Sequence, residues 1–453
     1  MDETVNSMLT KRLVRGGSWA TGSRVLSGFV GLMTYALLAR LITPETMGAY
    51  MLVSSVVAMA VTLSKLGIAP MLVRTIAASM AANRPGKARA VVLSACEVVT
   101  ISTSITATVV FLVMGEWFGF RLLESKSMAQ VAGVAAALVF AEVSQELIGE
   151  VFRGFHDIRY ASLFNGLLGS TLALPVLALY WLFEVKLILS DVLDVFFIVA
   201  VISSVIGGRI VWRNLGGLPV GDEVRNKEIL TGSWPLLMTD IVLVVMRFSA
   251  IWILATYRSP REVALYGLAE RFAILLEKPL LIINSVVPPL VAELHTQKRY
   301  AVLERMLRGT AALATLPALV GVLFFAVAGE WSLAKVYGSF YKEASLLLVV
   351  LAIGQSFNAL AGSCGMTLVM TGHQKVMMIA TVLRVSGSVV MALTLVETYG
   401  MVAVATVTTI GLIAQNIIMV LAVKRRIGLW TVANLSTKAI RGLRTLDAVG
   451  VKA

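Results

Sequence analysis

Asn214-Leu-Gly-Gly-Leu-Pro-Val-Gly-Asp-Glu-Val-Arg-Asn-Lys-Glu228 is a polar run between two long apolar stretches, and its reading decides the fold. Gly216, Gly217, Pro219 and Gly221 break structure, and the charges after them alternate in sign, the signature of a linker. The half of the chain after this run repeats the half before it. Gly17-Ser-Trp19 answers Gly232-Ser-Trp234 at an offset of 215, and Pro44 and Tyr50 answer Pro260 and Tyr266 at 216. Gly115-Glu-Trp117 answers Gly329-Glu-Trp331 at 214, and His156 answers His373 at 217. Correspondences in order and at nearly constant offset point to a duplicated unit.

Composition says what the unit is made of. Hydrophobic residues are 58% of the 453 and charged residues 14%, against about 25% charged in soluble proteins. That excludes a soluble helical protein, which needs more surface charge. A spanning helix takes roughly 20 apolar residues. Twelve stretches qualify, at about 17–39, 46–70, 90–114, 129–152, 158–183, 192–212, 231–256, 262–287, 309–328, 344–370, 376–397 and 400–423. Six lie on each side of the linker. The expected fold is an all-α polytopic membrane protein, with twelve transmembrane helices in two six-helix lobes related by a pseudo-two-fold axis. Residues 1–213 form the first lobe, 214–228 a cytoplasmic linker, 229–423 the second lobe, and 424–453 a basic cytoplasmic tail. The fourth, seventh and eighth stretches are too polar to face lipid all round and belong in the protein interior.

Lysine and arginine set the orientation. With the amino terminus inside, cytoplasmic segments carry 25 of them and the opposite side 8, the other 6 lying within the apolar stretches. Both termini are therefore expected in the cytoplasm. The net charge of +13 reads as this bias plus attraction to anionic headgroups, not as a nucleic-acid footprint. Met1–Arg15 reads as a cytoplasmic lead-in without a cleavage pattern. Met71–Arg89 reads as an interfacial amphipathic segment with Arg74, Arg84, Lys87 and Arg89 toward headgroups.

Charge inside the apolar stretches is concentrated in five of them. The first carries Arg24. In the fourth, Glu142, Gln145, Glu146, Glu150 and Arg153 share one helical face. This is either a packing seam or the wall of a water-accessible cavity, because an isolated carboxylate in hydrocarbon costs several kcal/mol. The seventh holds Asp240 and Arg247, two turns apart. The eighth holds Glu270-Arg271 and Glu277-Lys278, all within about 120° of arc on an unbroken helix, with Pro279 just beyond to bend it. The eleventh holds Arg384.

Other chemistry is thin. Cys96 and Cys364 resemble small core residues, and His156, His295 and His373 occupy turns without metal-ligand spacing. No Walker motif and no Gly-x-Ser-x-Gly elbow is present, and the short external loops argue against a glycan polymerase or ligase. No enzyme, cofactor or metal is expected. Six helices per lobe put the pseudo-two-fold axis along the membrane normal and the natural site in a cleft between lobes at mid-membrane, an architecture that rocks.

Arg15-Gly-Gly-Ser-Trp-Ala20, Leu38-Ala-Arg-Leu-Ile-Thr-Pro-Glu-Thr-Met-Gly-Ala-Tyr50, Leu66-Gly-Ile68 and Phe152-Arg-Gly-Phe-His156 resemble the Wzx-type polysaccharide-biosynthesis flippases. These belong to the multidrug/oligosaccharidyl-lipid/polysaccharide (MOP) exporter superfamily, and the resemblance covers essentially the whole chain. It implies a flippase of the bacterial inner membrane. Its cargo would be an undecaprenyl-diphosphate-linked oligosaccharide, moved by alternating access for O-antigen or exopolysaccharide assembly, with polysaccharide assembly proteins as partners. Lipid II flippases are similar but usually carry fourteen helices. A diphosphate crossing a low-dielectric region needs fixed cations, and Arg24, Arg247, Arg271, Lys278 and Arg384 are available. Glu142, Glu146, Asp240, Glu270 and Glu277 would pair with them or bind a coupling proton or sodium ion. The alternative is a multidrug/cation antiporter of the same superfamily, whose site should be lined by acids and aromatics without competing arginines.

Overall fold

A computed structural model describes residues 22, 26–115, 128–220 and 226–434. Among these residues the regular structure is all helix. The chain divides into two compact units, Met1–Phe248 and Ser249–Ala453.

In the first unit, α1 (Leu26–Leu41) is followed by α2 (Pro44–Ser64), α3 (Ile68–Ala81), α4 (Pro85–Val113) and α5 (Met128–Gly154). Next, α6 (Ile158–Ser162) runs through a π turn into α7 (Leu168–Leu182), before α8 (Leu189–Gly216) and α9 (Asn226–Tyr257), whose last residues, from Ser249, belong to the second unit. The second unit continues with α10 (Pro260–Ala273), a 3₁₀ turn Ile274–Glu277, α11 (Lys278–Thr296) and α12 (Tyr300–Tyr337). It closes with α13 (Ser345–Ala361), α14 (Cys364–Met370) and α15 (Gln374–Ile427).

Nine of the described helical segments are long and apolar enough to cross a membrane. One of them, α15, breaks at Gly400 (φ 60, ψ −144) and so supplies two crossings. Adding the bent pair α6–α7 and the shorter α1 gives the twelve crossings expected from hydropathy.

The duplication is visible in how helices begin. Thr43 caps α2 ahead of Pro44, its hydroxyl accepting from the Thr46 N–H at 3.3 Å. Ser259 caps α10 ahead of Pro260, its hydroxyl accepting from the Glu262 N–H at 3.4 Å. A hydroxyl cap followed by proline stops the preceding helix and starts the next, because proline lacks only an N–H that the first turn leaves unpaired anyway. Tyr50 and Tyr266, six residues after each proline, are both buried. The histidine correspondence is one residue out of structural register. The left-handed position that ends α5 is His156 (φ 62), and the one that ends α14 is Gly372 (φ 82). The equivalent offset is thus 216 there too, and His373 instead precedes α15.

The linker is shorter than its polarity suggests. Asn214–Gly216 complete α8 and Asn226–Glu228 open α9. Arg89 was expected at headgroups, but its guanidinium donates to the Leu218 carbonyl at 3.0 Å and ties α4 to the chain leaving α8. The amphipathic reading of Met71–Arg89 holds for α3, which buries Ile68, Leu72 and Ile76 and exposes Arg74.

Without a hydrophobic drive between helices in lipid, packing rests on small residues and buried polar contacts. At Gly207 of α8 an added Cβ would sit 2.8 Å from Ile148 Cγ2 and 2.9 Å from Phe164 Cε1, so a larger residue would have to displace these side chains. In the second unit an amide network joins α11, α13, α14 and α15. Ser363 donates to Asn284 Oδ1 at 2.6 Å, and Asn416 Nδ2 donates to Asn358 Oδ1 at 3.2 Å. Met306, Leu307, Leu368 and Val423 pack around it as an apolar core.

Candidate functional site

The first unit gathers charge around one lysine. After α2 the chain turns through two left-handed residues, Leu66 (φ 51) and Gly67 (φ 69), and restarts as α3. Lys65, at the head of this turn, pairs with Glu146 of α5. Glu142, one turn earlier on α5, lies within electrostatic reach of Lys65 and Glu146. Asp240 of α9 lies within reach of the same two groups. One turn further along α5, Glu150 accepts from Arg153 Nη1 at 2.8 Å and from Asn165 Nδ2 at 3.2 Å. The polar face expected on the fourth stretch is thus real, and it is a charge-pairing face. Four carboxylates on α5 and α9 meet two cations, Lys65 and Arg153. Among the described residues no three carboxylate, histidine or cysteine side chains converge as a metal site.

The second unit places a cation among carboxylates of another helix. Arg384 of α15 has Glu270 of α10, Glu277 of the 3₁₀ turn and the buried Tyr266 hydroxyl within electrostatic reach. Its Nη1 donates to Gln415 Oε1 at 3.0 Å, and Gln415 Nε2 donates to Thr381 Oγ1 at 2.9 Å. The guanidinium is therefore held in position along α15, whose two halves fold back on one another at Gly400. Arg384 lies ten residues into α15, roughly 15 Å from its start. That is far from either headgroup layer.

The eighth stretch departs from the unbroken helix that the sequence suggested. The 3₁₀ turn Ile274–Glu277 separates Glu270-Arg271 from Glu277-Lys278. The turn tightens the helix locally without parting the acids, since Glu270 and Glu277 both lie within electrostatic reach of Arg384. Pro279 then sits in the first turn of α11, where proline is tolerated. Arg271 and Lys278 are half-buried beside their acidic neighbours.

Arg247 and Asp240 do not form a pair. Asp240 belongs to the Lys65 group, whereas Arg247 is exposed with its guanidinium carbon 5.6 Å from the centroid of the Phe248 ring. Arg24 lies outside the described residues. Sequence reasoning missed Lys65, Asn165, Thr381 and Gln415 as site residues. Lys65 had a signal, since it is one of six cations within apolar stretches. The neutral side chains had none, because an isolated amide or hydroxyl in a membrane helix resembles ordinary interhelical glue.

The chain matches the family described as polysaccharide biosynthesis protein over residues 13–295. No curated protein matches it. Among solved structures it is similar to a multidrug resistance MATE family transporter of the MOP superfamily in an inward-facing conformation, at 17% identity and a TM-score of 0.71. That alignment covers 89% of this chain and 94% of the other. It is also similar to the lipid II flippase MurJ in an inward closed conformation, at 13% identity and a TM-score of 0.68, over 94% of this chain and 90% of the other. A third similarity is to a MOP superfamily transporter from Pyrococcus furiosus, described by a binding pocket of reversed polarity. It is 14% identical with a TM-score of 0.64, over 92% and 96% of the two chains. At these identities the likeness is one of fold.

Proposed function

Because the chain belongs to the polysaccharide biosynthesis protein family, with the fold of MOP superfamily transporters, we propose that it is a flippase for an undecaprenyl-diphosphate-linked oligosaccharide. It carries the lipid-linked glycan from the cytoplasmic to the periplasmic leaflet of a bacterial inner membrane by alternating access. The observation that carries this reading over a cationic-drug antiporter is the cation that each unit sets among carboxylates, Lys65 at the end of α2 in the first and Arg384 on α15 in the second. A site for cationic drugs gains nothing from fixed positive charge. A diphosphate needs it, since its own charge must be offset where water is scarce. The excess of carboxylates around Lys65 supports coupling to a proton or sodium ion.

Arg24, Arg247, Arg271, Lys278 and Arg384 are assigned to the diphosphate and glycan. Glu142, Glu146 and Asp240, grouped around Lys65, and Glu270 and Glu277, beside Arg384, hold those two cations or carry the coupling ion. Deleting the protein from its host should make lipid-linked oligosaccharide accumulate on the cytoplasmic side while drug susceptibility stays unchanged. Drug hypersensitivity with normal glycan export would establish the antiporter instead.

Within that assay, Arg24→Ala and Arg247→Ala should lower export on the order of ten- to a hundred-fold, because a charge-assisted hydrogen bond contributes about 1.5–3 kcal/mol. Arg24→Lys and Arg247→Lys should restore it only in part, since lysine keeps the charge and loses the fork. Melting temperatures of the purified variants should stay near wild type; stable variants with full export would remove both arginines from the site. The proposed orientation, with both termini cytoplasmic, predicts that alkaline phosphatase fused after Ala453 is inactive. Activity from that fusion would overturn the even number of crossings or their direction.

A further inference from the structure

The first unit has a lateral groove that the charge clusters do not use. It is a cavity of about 530 Å³ between α4 and α8, floored by α5. Its side walls are open, with Leu93 of α4, Phe140 of α5 and Val205 of α8 all exposed. Four hydroxyl side chains line it, and every one turns back onto a backbone carbonyl. Thr100 donates to Cys96 O at 2.7 Å and Thr103 to Val99 O at 2.6 Å. Ser144 donates to Phe140 O at 2.8 Å and Ser204 to Ala141 O at 3.0 Å. No lining residue is acidic or basic. A glycan or a polar drug would find no charge here and no hydroxyl proton that is not already given to a carbonyl, whereas a hydrocarbon chain needs neither.

One end of the groove has a different character. Near that end stands Trp212, which is 72% exposed, with Leu215 lining the groove one turn further on, and tryptophan is enriched at the level of lipid headgroups. Arg209 and Arg213, both exposed, follow the groove residues Gly208 and Trp212 in the chain and are one turn apart on α8. From Phe197 to Leu215 the groove follows eighteen residues of α8, roughly 27 Å. That is within a hydrocarbon core of about 30 Å. A polyprenyl tail of eleven isoprene units is far longer than this.

We propose that this groove is a binding site for an anionic phospholipid of the bilayer, with one acyl chain between α4 and α8 and its phosphate on Arg209 and Arg213. Basic clusters at the ends of transmembrane helices hold anionic headgroups by the same physics. The site is separate from the cargo site and stands whether or not the flippase reading does.

The test uses the full chain reconstituted into bilayers of phosphatidylcholine and phosphatidylglycerol at equal amounts. Retained lipids are then counted by native mass spectrometry. Wild type should keep one phosphatidylglycerol, preferred over phosphatidylcholine by on the order of thirtyfold for two arginines. Arg209→Gln/Arg213→Gln should lose that preference and still hold one lipid of either kind. Gly208→Phe should hold neither. A Cβ at Gly208 would meet only Ile148 Cδ1 at 4.0 Å, so the ring can enter the groove without moving the backbone. Melting temperatures of the variants check that loss of lipid is not loss of fold. Should Gly208→Phe fail to fold, the exposed arginine pair still decides the matter. Equal retention of the two lipids by wild type, or an unchanged preference in the double variant, would overturn the site. Displacement of phosphatidylglycerol by an equal amount of undecaprenyl phosphate would overturn the choice of occupant.

Discussion

Lys65→Met should abolish export and lower stability by about 2 kcal/mol. Breaking a buried ion pair by removing one partner costs about 3–5 kcal/mol, and an exposed pair contributes at most about 1. The side chains of Lys65 and Glu146 are 19% and 38% exposed, which places this pair between those limits. The cost arises from what remains: Glu146 loses its partner, with Glu142 and Asp240 nearby and no lysine among them. Lys65→Met/Glu146→Leu removes the orphaned carboxylate and should recover most of the stability. It should not recover export if the lysine is a working cation. Melting temperature and export measured on the same two variants separate these effects. Full export by the stable double variant would make the pair a packing device.

Gly67→Ala should prevent the protein from accumulating, through a cost above about 3 kcal/mol. A left-handed backbone (φ 69 here) costs an L-residue about 1–2 kcal/mol by itself. The larger part is steric. A Cβ at this position falls inside contact distance of Leu237 N and Ser233 O, both backbone atoms of α9. A flexible side chain could move aside, but a helix backbone moves only as a body, and α9 carries Asp240 one turn beyond. Gly31→Ala, whose Cβ would meet nothing within 4 Å, is the control and should be tolerated. Membrane yield and monodispersity of the two variants are the measurement. Wild-type yield of Gly67→Ala would contradict the close approach of the α2–α3 turn to α9.

The two predictions meet at one place, and it explains why the site was only half legible. Glu142, Glu146 and Glu150 stood out because charge in an apolar stretch is expensive and helical spacing puts these residues on one face. Lys65 sat at the end of a stretch, where a basic residue is usually an anchor at the headgroups. The turn at Leu66 and Gly67 sets it against α5 instead. In the same way Arg384 was conspicuous, but Gln415, which orients it, lies on the other side of the break at Gly400 and 31 residues away in sequence. Local spacing does not report a pairing that depends on two half-helices folding together.

Sequence alone determined the membrane class, the twelve crossings, the duplication and the matching prolines Pro44 and Pro260. Hydropathy over some 20 residues and the fixed φ of proline act within one helix and need no partner. Tertiary structure alone decided which charges meet, that Glu270 and Glu277 both face Arg384, and that Arg89 holds the chain leaving α8 instead of lipid. Each of these depends on the angle and rotation at which one helix packs on another. In the membrane those angles follow from small residues and a few hydrogen bonds spread over the whole bundle. No single stretch encodes them.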